Sequence, residues 1–304
     1  MNKPFPLILF LLLFSCSQFQ KSEHRIDEQQ EFKDFDKAFF SKTDKKETVK
    51  TRKRKLSKTL NRVKKEKKEP RKTKNTKRQF ENPYRYQEKL HYKVEYNGLS
   101  VGELKIKFRG LKSTNDRTAY EFEGRFKTVG AFSYIYKVNS EALLYFDQEY
   151  LRPLASIIRR EESDLKKEER TLYDWDRLKA ERWVKGIEDD KEIDEHKTFD
   201  IINNTQDILS FLVYLRTISY KFGEKYSIPF FHKGEMFQAS VRVVENNVYD
   251  FSKKLTLLEI ELPLKGKLQP SRATKVWLID NQYKDIFKID MNIKLGRIII
   301  ALDD

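Results

Sequence analysis

Cys16 is the single cysteine in 304 residues, and its surroundings give that thiol a use. It follows Ser15 at the end of ten apolar residues, Phe5 to Phe14, which themselves follow Met1-Asn2-Lys3. A basic start, an apolar stretch of about ten residues and a small residue before the cut form a secretory signal. The stretch is too short to cross a bilayer, which takes about 20 apolar residues. The other reactive side chains do not assemble into a reaction. His24, His91, His196 and His232 are scattered, and none stands at ligand spacing from another histidine or from the cysteine. His196, close to Asp194 and Glu195, could supply half of a metal or acid–base pair, but Glu188 to Glu195 reads as a solvated acidic loop. With 10 glycines in all, there is no Gly-x-Ser-x-Gly and no glycine-rich phosphate loop. No catalytic residue, metal site or cofactor is expected.

The cysteine placed directly after a small residue makes residues 1–15 resemble a bacterial lipoprotein signal peptide, in which that thiol is acylated and becomes the new N-terminus. Phe14 is bulky for its place in the pattern, and the alternative is an ordinary cleaved signal with an incidental cysteine. The resemblance implies an exported chain held to a membrane by lipid. Two or more acyl chains hold firmly where one is marginal. Ser17, where an aspartate would mark inner-membrane retention, points to the outer membrane and a periplasmic face. A mature chain without a free thiol has no internal disulfide, although its compartment would allow one.

The formal net charge is +15, and its position matters more than its size. Residues 42–78 hold 19 of the 62 lysines and arginines and 4 of the 47 acids, which leaves 43 bases and 43 acids elsewhere. This run has few aliphatic residues, no glycine and no aromatic, so it cannot bury enough apolar surface to offset its conformational entropy. It is expected to be a disordered basic linker, 42–79, and part of a tether of roughly 60 residues spanning on the order of 45 Å. It either contacts an anionic envelope polymer such as lipopolysaccharide or peptidoglycan, or serves as a spacer kept open by charge. Nucleic acid is not an expected partner of an exported, anchored chain. Within the anchored segment 16–41, Phe32, Phe35, Phe39 and Phe40 recur at helical spacing. They suggest a short amphipathic helix or, alternatively, an unfolded stretch with a few aromatics.

The remaining residues, 80–304, suffice for one single-core domain. Leu90, Tyr92, Val94 and Tyr96, then Leu104, Ile106 and Phe108, then Tyr120, Phe122 and Phe126 alternate with polar residues, the period of half-buried strands. Asn97-Gly98 marks a tight hairpin between the first two runs. Similar segments predict ten to twelve strands in a curved antiparallel sheet, mainly β with one central helix. Arg159 to Arg170 reads as a hairpin tip with a solvated face. From Thr205 to Ser219, Ile208, Leu209, Phe211, Leu212, Leu215 and Ile218 follow helical spacing, with Thr205 as N-cap and Asp207 in the first turn. Such a helix belongs across the concave face, plugging an open half-barrel.

Tyr96 to Leu104 with Gly98 and Gly102, Thr128-Val129-Gly130, Thr205-Gln206-Asp207-Ile208-Leu209-Ser210 with Arg216, and Val276-Trp277-Leu278-Ile279-Asp280 with Gly296 resemble the bacterial family called domain of unknown function 3108. The resemblance covers about residues 85–303. It implies an exported protein shaped like the helix-plugged half-barrels that carry lipoproteins, and no reaction. The chain has Asp285-Ile286-Phe287 where members commonly have proline. Gly98, Gly102, Gln206, Asp207, Ser210, Arg216, Trp277 and Gly296 are expected to serve structure. Tyr134, Tyr136, Phe211, Leu215, Trp277 and Phe287 are expected to line a cavity for a hydrophobic or acyl-bearing envelope ligand. The alternative function is a scaffold or assembly factor that binds another envelope protein, and the remote one is an envelope hydrolase.

Overall fold

The computed structural model describes residues 35, 36, 39, 82–114, 117–162, 165–188, 190–250, 253–262 and 270–303. Cys16, the signal segment, the linker 42–79 and most of 16–41 lie outside these. Fourteen strands follow in order: β1 Lys89–Tyr96, β2 Leu99–Thr114, β3 Arg117–Thr128, β4 Val138–Asp147, β5 Pro153–Glu162, β6 Leu165–Asp174, β7 Lys179–Glu188, β8 Lys191–Asp200, β9 Lys225–His232, β10 Glu235–Asp250, β11 Lys253–Glu261, β12 Thr274–Ile279, β13 Ile286–Ile293 and β14 Gly296–Leu302. A four-residue helix, Phe132–Ile135, precedes β4, and an eight-residue helix, Ile208–Leu215, lies between β8 and β9.

All strands join one antiparallel sheet, ordered β8 down to β1, then β14 down to β9. β1 and β14 close the two halves, from Tyr92 opposite Leu302 to Tyr96 opposite Ile298. Asn97 and Gly98, with φ of 50° and 81°, make the β1–β2 hairpin, the left-handed pair that a two-residue turn requires. Gly102 faces the Phe126 ring, which an added Cβ would meet at 2.6 Å.

One face carries most of the apolar residues that alternation predicts. Tyr92, Val94, Phe108, Phe122, Leu144, Val241, Leu258, Val276, Leu278, Ile298 and Ile300 are all buried in one cluster, together with Phe211, Tyr214 and Leu215 of the helix. We call this the inward face. Edge strands β8 and β9 approach each other where Phe199 packs on Phe231 at 5.5 Å.

Two sequence readings are corrected. Glu188 to Glu195 is a hairpin, not a solvated loop, because β8 is an edge strand. It carries charge on both faces, with only Ile193 and Phe199 apolar, which conceals the strand period and blunts the edge. Arg159 to Arg170 is a hairpin as expected, but among the described residues only its outward positions Arg159, Glu161 and Lys166 are exposed. Arg160, Glu162 and Lys167 point inward, 3–7 % exposed.

Candidate functional site

The helix is fixed at both ends by the polar residues singled out from the sequence. It begins at Ile208, and Asp207, not Thr205, caps it. The Asp207 carboxylate accepts from the Ser210 amide at 2.7 Å, and Ser210 Oγ accepts from the Asp207 amide at 2.8 Å. Thr205 instead donates to the Ile202 carbonyl at 2.6 Å. The second Asp207 oxygen accepts from Tyr173 Oη on β6 at 2.8 Å. Burial, and then the adjacent Asp207 carboxylate, raise the Tyr173 pKa well above that of a free phenol, so the hydroxyl stays a donor. Gln206 bridges to β9, donating to the Pro229 carbonyl and accepting from the Phe231 amide, both at 2.8 Å, while its Nε2 donates to the Leu151 carbonyl at 3.0 Å.

At the other end Arg216 is 5 % exposed. Its guanidinium donates to Glu88 at 2.7 and 3.1 Å, to Asp285 at 2.6 Å and to the carbonyls of Tyr283 and Pro83 at 3.0 and 3.1 Å. Arg85 adds a second cation, 2.8 Å from Asp285. Two cations and two carboxylates thus tie the helix to the start of β1 and to the β12–β13 turn. Asp285, just ahead of β13, is one of these carboxylates. The Asn97-Gly98 turn is joined to Gly296 and Arg297, whose amide donates to Asn97 Oδ1 at 2.8 Å. The motif residues therefore meet one another as clamps.

The inward face of β5–β8 is largely polar. Arg160 donates to Glu162, which also accepts from Tyr136 Oη at 2.5 Å. Arg182 holds Glu169 through two bonds of 2.8 and 2.7 Å and lies 3.8 Å from Glu195. Burial alone would raise the Glu169 pKa, but the Arg182 guanidinium outweighs it, and the carboxyl titrates below its usual value. Near this cluster, at the end of β9, burial and then the Lys233 charge lower the His232 pKa to about 4, while Glu169 and Glu235 oppose and Arg182 adds to the shift. Above pH ~6.5 the imidazole is neutral in both folded and unfolded chains. Between ~6.5 and ~4 the unfolded chain takes up a proton that the folded one refuses, so this site lowers stability by up to about 3 kcal/mol as pH falls. Urea unfolding at pH 7 and pH 4.5 should show that loss, and His232→Gln should reduce it. An equal loss in the variant would contradict the assignment.

The outward face of β4–β8 borders a recess. Two complete cross-strand rows, Asn139–Glu161–Lys166–Ile187–Glu192 and Glu141–Arg159–Glu168–Lys185–Asp194, line a trough of about 830 Å3. With Asp190 the lining holds six acids and five bases, of which Arg160 and Lys167 are buried. Arg159 pairs with Glu168 at 3.0 Å and Lys185 with Asp194 at 3.6 Å, while Ile187 is 52 % exposed.

The six residues expected to line one cavity do not share a wall. Tyr134 is 93 % exposed on the short helix. Tyr136 is buried, but it serves Glu162. Phe211 and Leu215 are 1 % and 0 % exposed within the packed core. Trp277 alternates with inward Val276 and Leu278, so it faces outward, under Lys288 at 5.3 Å. Phe287 lies at a bulge, under Lys253. Alternation assigns parity along a strand, but it does not say which parity is inward, and this is why the two outward rings were grouped with the helix. The trough was missed because a recess on a sheet's outward face leaves no signature in sequence. His91 sits between Glu103 and Asp303 at 3.5 and 3.4 Å, and His196 stacks on Trp183 at 4.6 Å. Among the described residues no group of three or more histidines, cysteines or acids is placed to hold a metal.

A family model described as "Protein of unknown function (DUF3108)" matches residues 91–303, and the chain belongs to that family. No curated protein matches it in sequence. Among solved structures, the crystal structure of a β-barrel-like protein of domain of unknown function DUF1849 from Brucella abortus aligns at 12% identity with a TM-score of 0.46. The alignment covers 71% of this chain and 95% of that one.

Proposed function

We propose that the protein is a non-catalytic binding module, held by lipid on Cys16 to the periplasmic side of a bacterial outer membrane, which takes a basic segment of another envelope protein in the outward trough. The observation that carries this reading is the trough itself: a recess large enough for several side chains, whose lining has six acids against five bases, with Glu161, Asp190, Glu192 and Asp194 exposed and Arg160 and Lys167 buried. Complementary charge at such a surface supplies encounter rate and register. In this reading the helix plugs the half-barrel permanently and the inward charges hold the walls apart. The apolar interior weighs against an acyl chain as ligand, since Phe211, Leu215 and the side chains facing them already fill it.

The test is photo-crosslinking from position 187, inside the trough, in native envelopes, with position 134 as an exposed control. A crosslinked protein specific to position 187 is expected. The triple reversal Glu141→Lys, Glu161→Lys, Glu192→Lys should weaken that capture roughly 10- to 100-fold, at up to ~1 kcal/mol for each rim charge. Undiminished crosslinking in the triple variant would sink the proposal.

A further inference from the structure

Phe35 and Phe39, one helical turn apart, are 0 % and 3 % exposed although most of the chain around them lies outside the described residues. Both rings pack on the outward face of β4–β7. Phe39 lies 4.8 Å from Tyr145, and Phe35 meets Trp183 edge-on at 5.7 Å. Between them Asp36 accepts from Arg170 at 2.7 Å, and the Arg170 guanidinium lies 5.3 Å over the Phe35 ring. The partners stand in adjacent outward rows, Leu143–Ile157–Arg170–Trp183 and Tyr145–Ala155–Leu172, next to the trough. Without the two phenylalanines Tyr145, Ile157 and Trp183, each under 9 % exposed, would form an apolar patch on an otherwise charged face.

We infer that the segment bearing Phe35, Asp36 and Phe39 clasps the outward face of the domain, so that the domain hangs from Cys16 by residues 17–34 and not by the basic segment. The clasp stands on the packing alone, and only the word "hangs" rests on the lipid reading. Eighteen residues reach at most about 65 Å and span on the order of 25 Å as a flexible chain, against roughly 45 Å for the 65 residues 17–81. Residues 42–78 start three positions after Phe39 and end four before Asn82, so the domain grips the chain on either side of the run that carries the +15. On this inference residues 42–78 do not set the distance between Cys16 and the domain.

The test is a site for a sequence-specific protease inserted after Leu60 in the full-length, membrane-bound chain. After cleavage the domain should stay in the membrane pellet, held by the clasp. The double variant Phe35→Ala, Phe39→Ala, cleaved in the same way, should release it to the supernatant. Asp36→Arg should weaken retention, and adding Arg170→Glu should restore it, which separates loss of docking from damage to the fold. Release of the cleaved parent domain would overturn the inference. If the uncleaved chain is already soluble, the anchor reading has failed and the clasp is still judged: the two cleaved fragments should co-elute in size-exclusion chromatography for the parent and separate for the double variant.

Discussion

Replacing Arg216 by methionine should cost the domain about 3–5 kcal/mol, because it leaves the carboxylates of Glu88 and Asp285, 6 % and 5 % exposed, with only the half-exposed Arg85 for a partner. The size of the loss comes from the charges left behind, not from the worth of the original pair. One consequence follows from that distinction. Adding Glu88→Gln and Asp285→Asn to Arg216→Met should recover part of the loss, since three neutral groups bury more cheaply than two orphaned anions. Urea midpoints of the three chains at pH 7 decide it. A triple variant weaker than the single one would mean that the ion cluster itself holds the helix, beyond avoiding a stranded charge.

Phe211→Ala should cost a comparable ~3–5 kcal/mol by removing a ring packed edge-on against Phe230 at 5.6 Å in the middle of the core. The deletion also distinguishes between functional readings. An apolar cavity lined by aliphatic and aromatic groups stays dry and accepts small apolar ligands. The variant should therefore gain thermal stability when saturated with benzene, by the mass action of a ligand that binds only the folded state, while the parent gains nothing. Stoichiometric fatty acid in the parent protein, seen by mass spectrometry under native conditions, would reverse the conclusion that the interior is filled.

How much of this could be read from the chain depended on which forces were local. Period-two alternation exposed nearly every strand of the β1–β4 and β9–β14 regions, because those strands bury one face against a common apolar core and keep the other wet. Helical spacing found Phe211 and Leu215. Alternation marked parts of β5, β6 and β7, at 154–160, 170–175 and 182–185, but missed β8 and the direction of the charged side chains. There Arg160, Glu162, Lys167, Glu169 and Arg182 turn inward and satisfy one another, so a charge run that looks solvated is partly interior. Cross-strand partners such as Arg182 and Glu169 are paired by register, and register depends on bulges and on hairpin lengths that no local window contains. Phe35 and Phe39 showed their helical spacing but not their destination, since the surface they cover is built from residues more than 100 positions further on.

The order of strands in the sheet also bears on how the chain finds its fold. Twelve of the thirteen strand pairings join consecutive strands, and only β1 with β14 bridges the length of the domain. Hairpins can therefore form independently along both halves with short loops to close, while the seam between Tyr92–Tyr96 and Ile298–Leu302 carries nearly the whole loop-closure entropy. Kinetically the molecule is two meanders and one slow junction. The meander ends, β8 and β9, each pair with one strand only, and they meet through the rings of Phe199 and Phe231 without a ladder between them.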